Sequence, residues 1–268
     1  MSAATAIGVF DSGVGGLTVL RALRAALPAG DFLYLGDTAR LPYGTKSPAS
    51  VIRYAEQAAD VLVAAGLRCL VVACNTASAV ALDALRRRYA PLPVIGVVEP
   101  GARAACAASR NGRIAVIATE STVRAGAYEQ AIRRIRTDCD VVSTPCQLFV
   151  ALAEEGWIDG EIAEAVARRY LGPILAAAAR PDVLLLGCTH FPVLAPAIAR
   201  IAGPGIRIVD SAATTAAAVS ESLGPLRAAG GGRMQLLATD GAARFARVGP
   251  AFLGEPIDPA QVEIVDLG

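Results

Sequence analysis

Histidine is almost missing from this 268-residue chain: His190 is the only one. Lysine is as scarce, since Lys46 stands alone among 25 lysine-plus-arginine residues. The six cysteines, Cys69, Cys74, Cys106, Cys139, Cys146 and Cys188, include no C-x-x-C pair. A structural zinc site needs four Cys or His ligands at short spacings, so no metal is expected. A chain of this length with so few cysteines is no small disulfide scaffold either. The formal charge of +1 leaves no basic excess for nucleic acid. Long apolar runs are lacking too, although 54% of the residues are hydrophobic. The longest uncharged run, Val183 to Ala199, is interrupted by His190, Pro192 and Pro196, and a membrane span needs ~20 mostly apolar residues. The opening MSAATAIGVF has no basic region and no long apolar stretch of a signal peptide. The composition reads as a cytoplasmic protein that works on neither membrane nor nucleic acid.

Apolar runs that read as strands alternate with amphipathic helical stretches, the pattern of an α/β protein with mainly parallel sheets. Strands are read at Ile7–Phe10, Phe32–Leu35, Leu70–Ala73, Val94–Val97, Ile114–Ala118, Val141–Ser143, Val183–Gly187, Ile206–Val209 and Gln235–Ala238. Helices are read at Leu17–Leu27, Ser50–Ala65, Ser78–Tyr89, Thr122–Ile135, Asp159–Ala178 and Val193–Ile201. Within that alternation there is a repeat. "LVVACNTASAVALDALR" (70–86) and "LLLGCTHFPVLAPAIAR" (184–200) share an apolar strand, a small residue, a cysteine, two polar residues and a helix. The expected fold is two pseudo-symmetric, doubly wound α/β domains with the site in the crevice between them. Ligands of open α/β sheets bind at the carboxyl ends of the strands, and a pseudo-twofold would point both cysteines into one such crevice. Val94–Val97 and "IRIVDSA" are expected to be the crossings, giving residues 1–96 plus 208–268 as one lobe and 97–207 as the other. The segment after 208 returns because a C-terminal strand and helices are needed to complete the first sheet.

Four of the six cysteines read as small buried hydrophobes. Cys74 and Cys188 do not, because each sits at a strand end just before a helix. The partial positive charge of a helix terminus favours thiolate over thiol relative to the free pKa of ~8.5. Asn75, Thr76, Thr189 and His190 follow as donors or caps. Pro192 suits the first turn of the second helix. In "FDSGVGGLT", Gly13, Gly15 and Gly16 let backbone approach a ligand at a helix start, which suits a carboxylate or phosphate. Thr18 breaks the G-x-G-x-x-G pattern and the Walker pattern is absent, so a nucleotide is disfavoured. Asp11 ends the first strand, where it suits a substrate ammonium or serves as a helix cap. "LPYGTKS" (41–47) is by itself a solvated turn.

Together, "GVFDSGVGGLTV", "LPYGTKS", "VVACNTASA" and "LLGCTHFP" resemble the four signature blocks of the glutamate racemases, in the family's order and over nearly the whole chain. The resemblance implies a cofactor-independent enzyme that makes D-glutamate for peptidoglycan, built as a homodimer of two-domain chains. It implies Cys74 and Cys188 as the catalytic pair, exchanging the α-proton on the D- and L-glutamate sides respectively, with Asp11 as the catalytic partner of Cys74 and with His190 and Glu154 serving Cys188. It implies substrate binding by Asp11 and Ser12, Tyr43 and Gly44, Asn75 and Thr76, and Thr189 and His190. Glu154 in "LAEEG" resembles the acid that supports Cys188 through His190, and Thr119 falls near a further contact. "CQLFVALAEEG" departs from the family block with Gln147 and Ala151 in place of prolines, and "ATESTV" lacks its glycines.

Inverting a stereocentre by proton transfer needs an acid on one face and a base on the other, and two cysteines from related halves supply that pair. Pyridoxal phosphate would need a Schiff-base lysine. Lys46 is the only candidate and lies in a turn, so no cofactor is expected. Rival readings are a racemase of the same superfamily acting on aspartate or a hydantoin, a Cys188–His190 thiol hydrolase, and a non-catalytic amino-acid-binding protein. The hydrolase leaves Cys74 without a role.

Overall fold

The computed structural model describes residues 6–224 and 231–267; of the opening stretch read above for a leader, residues 1–5 lie outside that range. Buried β-branched and leucine-rich runs form two all-parallel sheets whose faces are covered by helices. The first four strands are β1 (Ala6–Asp11), β2 (Phe32–Gly36), β3 (Leu67–Val72) and β4 (Val94–Gly96). Between them run α1 (Leu17–Ala26), α2 (Pro48–Ala64), α3 (Asn75–Val80) and α4 (Leu82–Tyr89), and α5 (Val98–Ala108) follows. The pattern then repeats with β5 (Arg113–Ala118), α6 (Glu120–Ala125), α7 (Ala127–Ile135), β6 (Asp140–Pro145), α8 (Leu148–Glu154) and α9 (Gly160–Ala176). It continues through β7 (Val183–Gly187), α10 (Ala195–Ala202), β8 (Arg207–Asp210) and α11 (Ser211–Leu223). The C-terminal segment adds β9 (Met234–Ala238), α12 (Ala242–Val248), α13 (Pro250–Leu253) and β10 (Val262–Ile264).

The sheet orders are β10-β9-β2-β1-β3-β4 and β6-β5-β7-β8. Strip the C-terminal strands from the first and the two orders coincide strand for strand, which gives the internal repeat of the sequence a topological form. β9 lies beside β2, with Phe32 opposite Met234, and so returns the chain to the first sheet. The expected boundary at 207/208 needs correction in sheet membership. β8 pairs with β7, Leu184 opposite Ile208, and only after Asp210 does the chain leave the second sheet. Consecutive βαβ units pack side by side, so a strand following β7 and α10 takes the free edge of β7 first.

Burial of β1, β3, β5 and β7 is almost complete, and one apolar cluster joins Ile7 and Val9 to Ile117 and Leu186 across the two sheets. Fully burying each such side chain is worth ~1.5–3 kcal/mol, so the strand ends that carry the polar residues rest on a stiff base. Several elements escaped the sequence reading. α5 contains Pro100 and Gly101, α11 is a nearly uniform Ala/Ser/Thr run, α8 is short, and β10 has three residues at a sheet edge. The helix expected at Ser78 starts earlier, at Asn75, because Cys74 itself caps it. Among the described residues, no helix is long and apolar enough to cross a membrane.

Candidate active site

Cys74 and Cys188 line one cavity, at the carboxyl ends of β3 and β7. Ser12, Tyr43, Gly44, Asn75, Thr76, Thr119, Glu154, Thr189 and His190 line it with them. Of the catalytic and substrate-binding residues that the resemblance implies, Asp11 alone stays behind the wall, fully buried. A larger cavity of about 470 Å³ lies between α4, α5 and α7, with Arg86, Arg103 and Arg134 on its walls, but neither cysteine reaches it.

On the β3 side, the Cys74 sulfur accepts a hydrogen bond from the Ala77 amide at 3.4 Å and lies 3.5 Å from the Ser12 hydroxyl. The thiol is 4% exposed. Burial pushes its pKa up to about 12, and the Asp11 carboxylate and Cys188 add to the rise against the Ser12 and Ala77 hydrogen bonds. The thiolate preference expected from the helix terminus is therefore overturned at this position. One amide and the weak field of a short helix do not offset removal from water.

The glycine loop also differs from expectation. Its amides serve the chain's own anion: Gly13 donates to Asp11 at 2.9 Å, and the Ser12 and Gly16 amides also favour the charged form of that carboxylate. Burial raises the Asp11 pKa, while His190 and these amides pull it back. The lack of a side chain at Gly15 serves packing, since a β-carbon there would overlap His190 Nδ1 and Thr189 Oγ1. Thr189 reaches back to Asp11, Oγ1 to Oδ1 at 3.5 Å.

On the β7 side, His190 Nδ1 stands 3.9 Å from the Cys188 sulfur and 3.4 Å from Thr189 Oγ1. Its Nε2 stands 3.1 Å from Glu154 Oε1. The imidazole packs edge-on against Phe252, with ring centres 5.2 Å apart. Burial alone would lower the histidine pKa, but hydrogen bonds and charge from Cys188 and Glu154 outweigh it and push the value up to about 10. For Glu154, burial favours the neutral acid, yet His190 and Arg244 hold its carboxyl below the usual range.

Hydroxyls and amides make up the remaining walls. Thr76, Thr119 and Thr122 form a triangle of hydroxyl contacts at 2.9, 3.0 and 3.2 Å that ties α3 to the start of α6. Asn75 Nδ2 donates to Tyr128 at 2.7 Å and to Ser211 at 3.4 Å, while its Oδ1 is buried without a protein partner. Tyr43 donates to Asp37 at 2.5 Å, and Arg40 meets the same oxygen at 2.7 Å. That pair turns Tyr43 and Gly44 of "LPYGTKS" into a buried wall, while Pro42, Thr45 and Ser47 stay exposed as a solvated turn would have them. Gly44 lets the wall close on Thr119, because a β-carbon there would lie 2.7 Å from the threonine Cβ.

Asp37, Thr122 and Arg244 are among the polar residues around this site that went unnoticed in the sequence, as did Arg40, Tyr128 and Ser211. Asp37 carried a signal, since it follows β2 as Asp11 ends β1. Thr122 sits three residues beyond Thr119 in "TEST", the spacing of a helix cap. Arg244, 2.7 Å from Glu154 Oε2, comes from α12 and had no local signal at all.

A family model described as Asp/Glu/Hydantoin racemase matches residues 7–219. A glutamate racemase of Geobacter metallireducens is 51% identical over 253 residues, covering 93% of each chain. Among solved structures, a glutamate racemase of Francisella tularensis in complex with D-glutamate superposes with a TM-score of 0.90 at 34% identity, covering 99% of this chain and 98% of that one. A Thermus thermophilus glutamate racemase in complex with beta-chloro-D-alanine gives 0.87 at 43% identity, over 100% and 99% of the two chains.

Proposed function

The chain belongs to the Asp/Glu/hydantoin racemase family, and from that premise we propose that it interconverts L- and D-glutamate by proton transfer between two cysteines. The observation that carries this reading is the shared cavity of Cys74 and Cys188, reached from equivalent strands of two sheets with the same strand order. Glutamate, rather than aspartate or a hydantoin, is taken from the relatives at 34–51% identity that are named for it.

In the L-to-D direction, Cys188 as thiolate removes the α-proton from one face. The Cys74 thiol delivers a proton to the other face, and the reverse reaction exchanges the roles. The two environments suit this division. Cys74 is held neutral by burial and so rests as the acid. Cys188 has a basic ring beside it to take up its proton. Glu154 receives Nε2–H, which leaves Nδ1 directed at the sulfur.

An α-proton next to a carboxylate is very weakly acidic, so the developing carbanion needs preorganised donors. Ser12, Thr76, Thr119 and Thr189, with main-chain amides around Tyr43 and Gly44, supply donors for the two substrate carboxylates. Asn75 Oδ1 is an acceptor free for the ammonium. Asp11 acts from behind the wall by holding Thr189 and the loop that carries Ser12. The mechanism calls on no cofactor and no metal: the only lysine, Lys46, is not among the cavity residues, and its ammonium lies 5.9 Å from the Tyr54 ring centre.

We place the reaction in the cytoplasm, in a homodimer with neither nucleic acid nor membrane as partner, where the D-glutamate supplies peptidoglycan synthesis. On this reading one lobe is the described chain up to residue 96 with the C-terminal segment, and the other is the β5–β8 half. Circular dichroism of L- and D-glutamate with the purified chain and no added cofactor tests the activity. Both signals should decay to zero. An unchanged signal from either enantiomer, or faster turnover of aspartate, overturns the assignment.

A further inference from the structure

Glu154 ends α8 in the last turn, where the helix dipole opposes a negative charge, and its side chain is only 13% exposed. Its own helix, LFVALAE, offers no cation. The cation comes from the C-terminal segment instead. Arg244 on α12 lies 2.7 Å from Oε2 while His190 lies 3.1 Å from Oε1, so each carboxylate oxygen has one partner. The same segment supplies Phe252, whose ring packs against the His190 imidazole.

We propose that Arg244 is a positioning residue for the Cys188 side of the site: by holding one oxygen of Glu154, it turns the other onto His190 Nε2 and directs Nδ1 at the Cys188 sulfur. This rests on the racemase reading above for its consequence in catalysis, although the clamp itself is a matter of geometry. Without the guanidinium, the carboxylate is free to swing into the small cavity that it shares with Thr38 and Asp240. Two opposing effects on His190 then follow. Loss of the nearby positive charge alone would make the imidazole easier to protonate. Loss of the Glu154 contact would make it harder, because a buried imidazolium without a carboxylate is penalised. Among the described residues, the charged groups facing His190 and Glu154 are Cys188, Arg244, Asp11 across the Gly15 loop and Asp240 in the small cavity, and Arg244 is the only arginine or lysine of that set.

Because His190 is the only histidine, nitrogen-15 NMR of the full labelled chain reports its titration and tautomer without ambiguity. Arg244→Met should lower the His190 midpoint by about one pH unit or more and abolish the predominance of the Nε2–H tautomer. In parallel, kcat/KM for glutamate should fall about tenfold or more, as expected for misplaced catalytic groups. Arg244→Lys should restore most of the midpoint and the rate. A midpoint that rises or stays in place while Nε2–H persists overturns the proposal, since the arginine would then contribute charge alone or nothing. Should Arg244→Met fail to fold, Arg244→Gln decides by the same titration. A wild-type chain inactive on glutamate would refute the function and leave the NMR result standing.

Discussion

The backbone of Gly15 packs against His190 so closely that a β-carbon built on the glycine would overlap Nδ1 of the ring. Gly15 belongs to the β1–α1 loop and His190 to the turn after β7, so the contact joins the two sheets at the candidate active site. Gly15→Ala should therefore push the imidazole away from the Cys188 sulfur. Overpacking of this kind costs ~1–3 kcal/mol, and displacing a catalytic group by about 1 Å costs ~10²-fold in rate. Thermal melting and kcat/KM on glutamate should show a chain that still folds and has lost nearly all its activity. A variant with wild-type kinetics would mean that the ring's place does not matter.

The two cysteines should be separable by reaction face. Cys74→Ser and Cys188→Ser should each lower racemisation by ~10²–10⁴-fold or more, because a hydroxyl is far too weak an acid to replace the thiol. Elimination of HCl from a chlorinated glutamate needs only one base to remove the α-proton as chloride leaves. Each single variant should retain that reaction with one enantiomer, and the two variants with opposite ones. Retention of the same enantiomer by both would sink the two-faced assignment.

Stability should carry the mark of His190. Its pKa is raised from 6.5 to about 10 in the folded chain, by Cys188 and Glu154 against the effect of burial. A folded state that holds its proton more tightly than the unfolded chain gains stability below the unfolded pKa. The gain is fully present below about pH 6.5 and is lost as pH rises through about 10. Urea unfolding between pH 6 and 10.5 should show this decline in the wild type. His190→Asn should show a shallower one, and identical slopes would contradict the coupling.

How much of this was legible in the sequence depended on the range of the interactions. Strand positions were readable because β1, β2, β3, β5 and β7 are continuous apolar runs, and the repeat around Cys74 and Cys188 was visible as spacing. Cys74, Cys188, Thr189 and His190 announced themselves by residue type at strand ends. The failures share one cause, which is that a contact partner from elsewhere decides the outcome. The glycine loop read as an anion site, yet its anion is Asp11 from the adjoining strand. Cys74 read as an activated thiol, yet burial contributed by the whole fold outweighs the local helix start. Arg244 lies 90 positions from Glu154 in the chain, and no periodicity links them. The edge of the second sheet was misplaced by three residues because β8 shows its strand pattern but not its pairing partner.

Direction of reaction offers the sharpest test of the asymmetry between the two cysteines. Cys188 has His190 at 3.9 Å, whereas Cys74 has the Ser12 hydroxyl and the Ala77 amide as hydrogen-bond partners and feels the Asp11 carboxylate only through its charge. An asparagine at position 190 keeps a polar group near Glu154 but cannot accept the Cys188 proton. Because the two substrates are mirror images, the equilibrium constant is one and kcat/KM must fall equally in both directions. Only kcat and KM taken separately are free to diverge. His190→Asn should lower kcat for L-to-D conversion by about tenfold more than for D-to-L, since the Cys188 thiolate must form before the L-isomer loses its proton. KM in the L-to-D direction should fall in compensation. Initial rates by circular dichroism in both directions, with deuterium incorporation from solvent measured in each remaining substrate, check both halves of the statement. Equal losses of kcat with an unchanged deuterium pattern would reduce His190 to a group that positions the substrate and moves no proton.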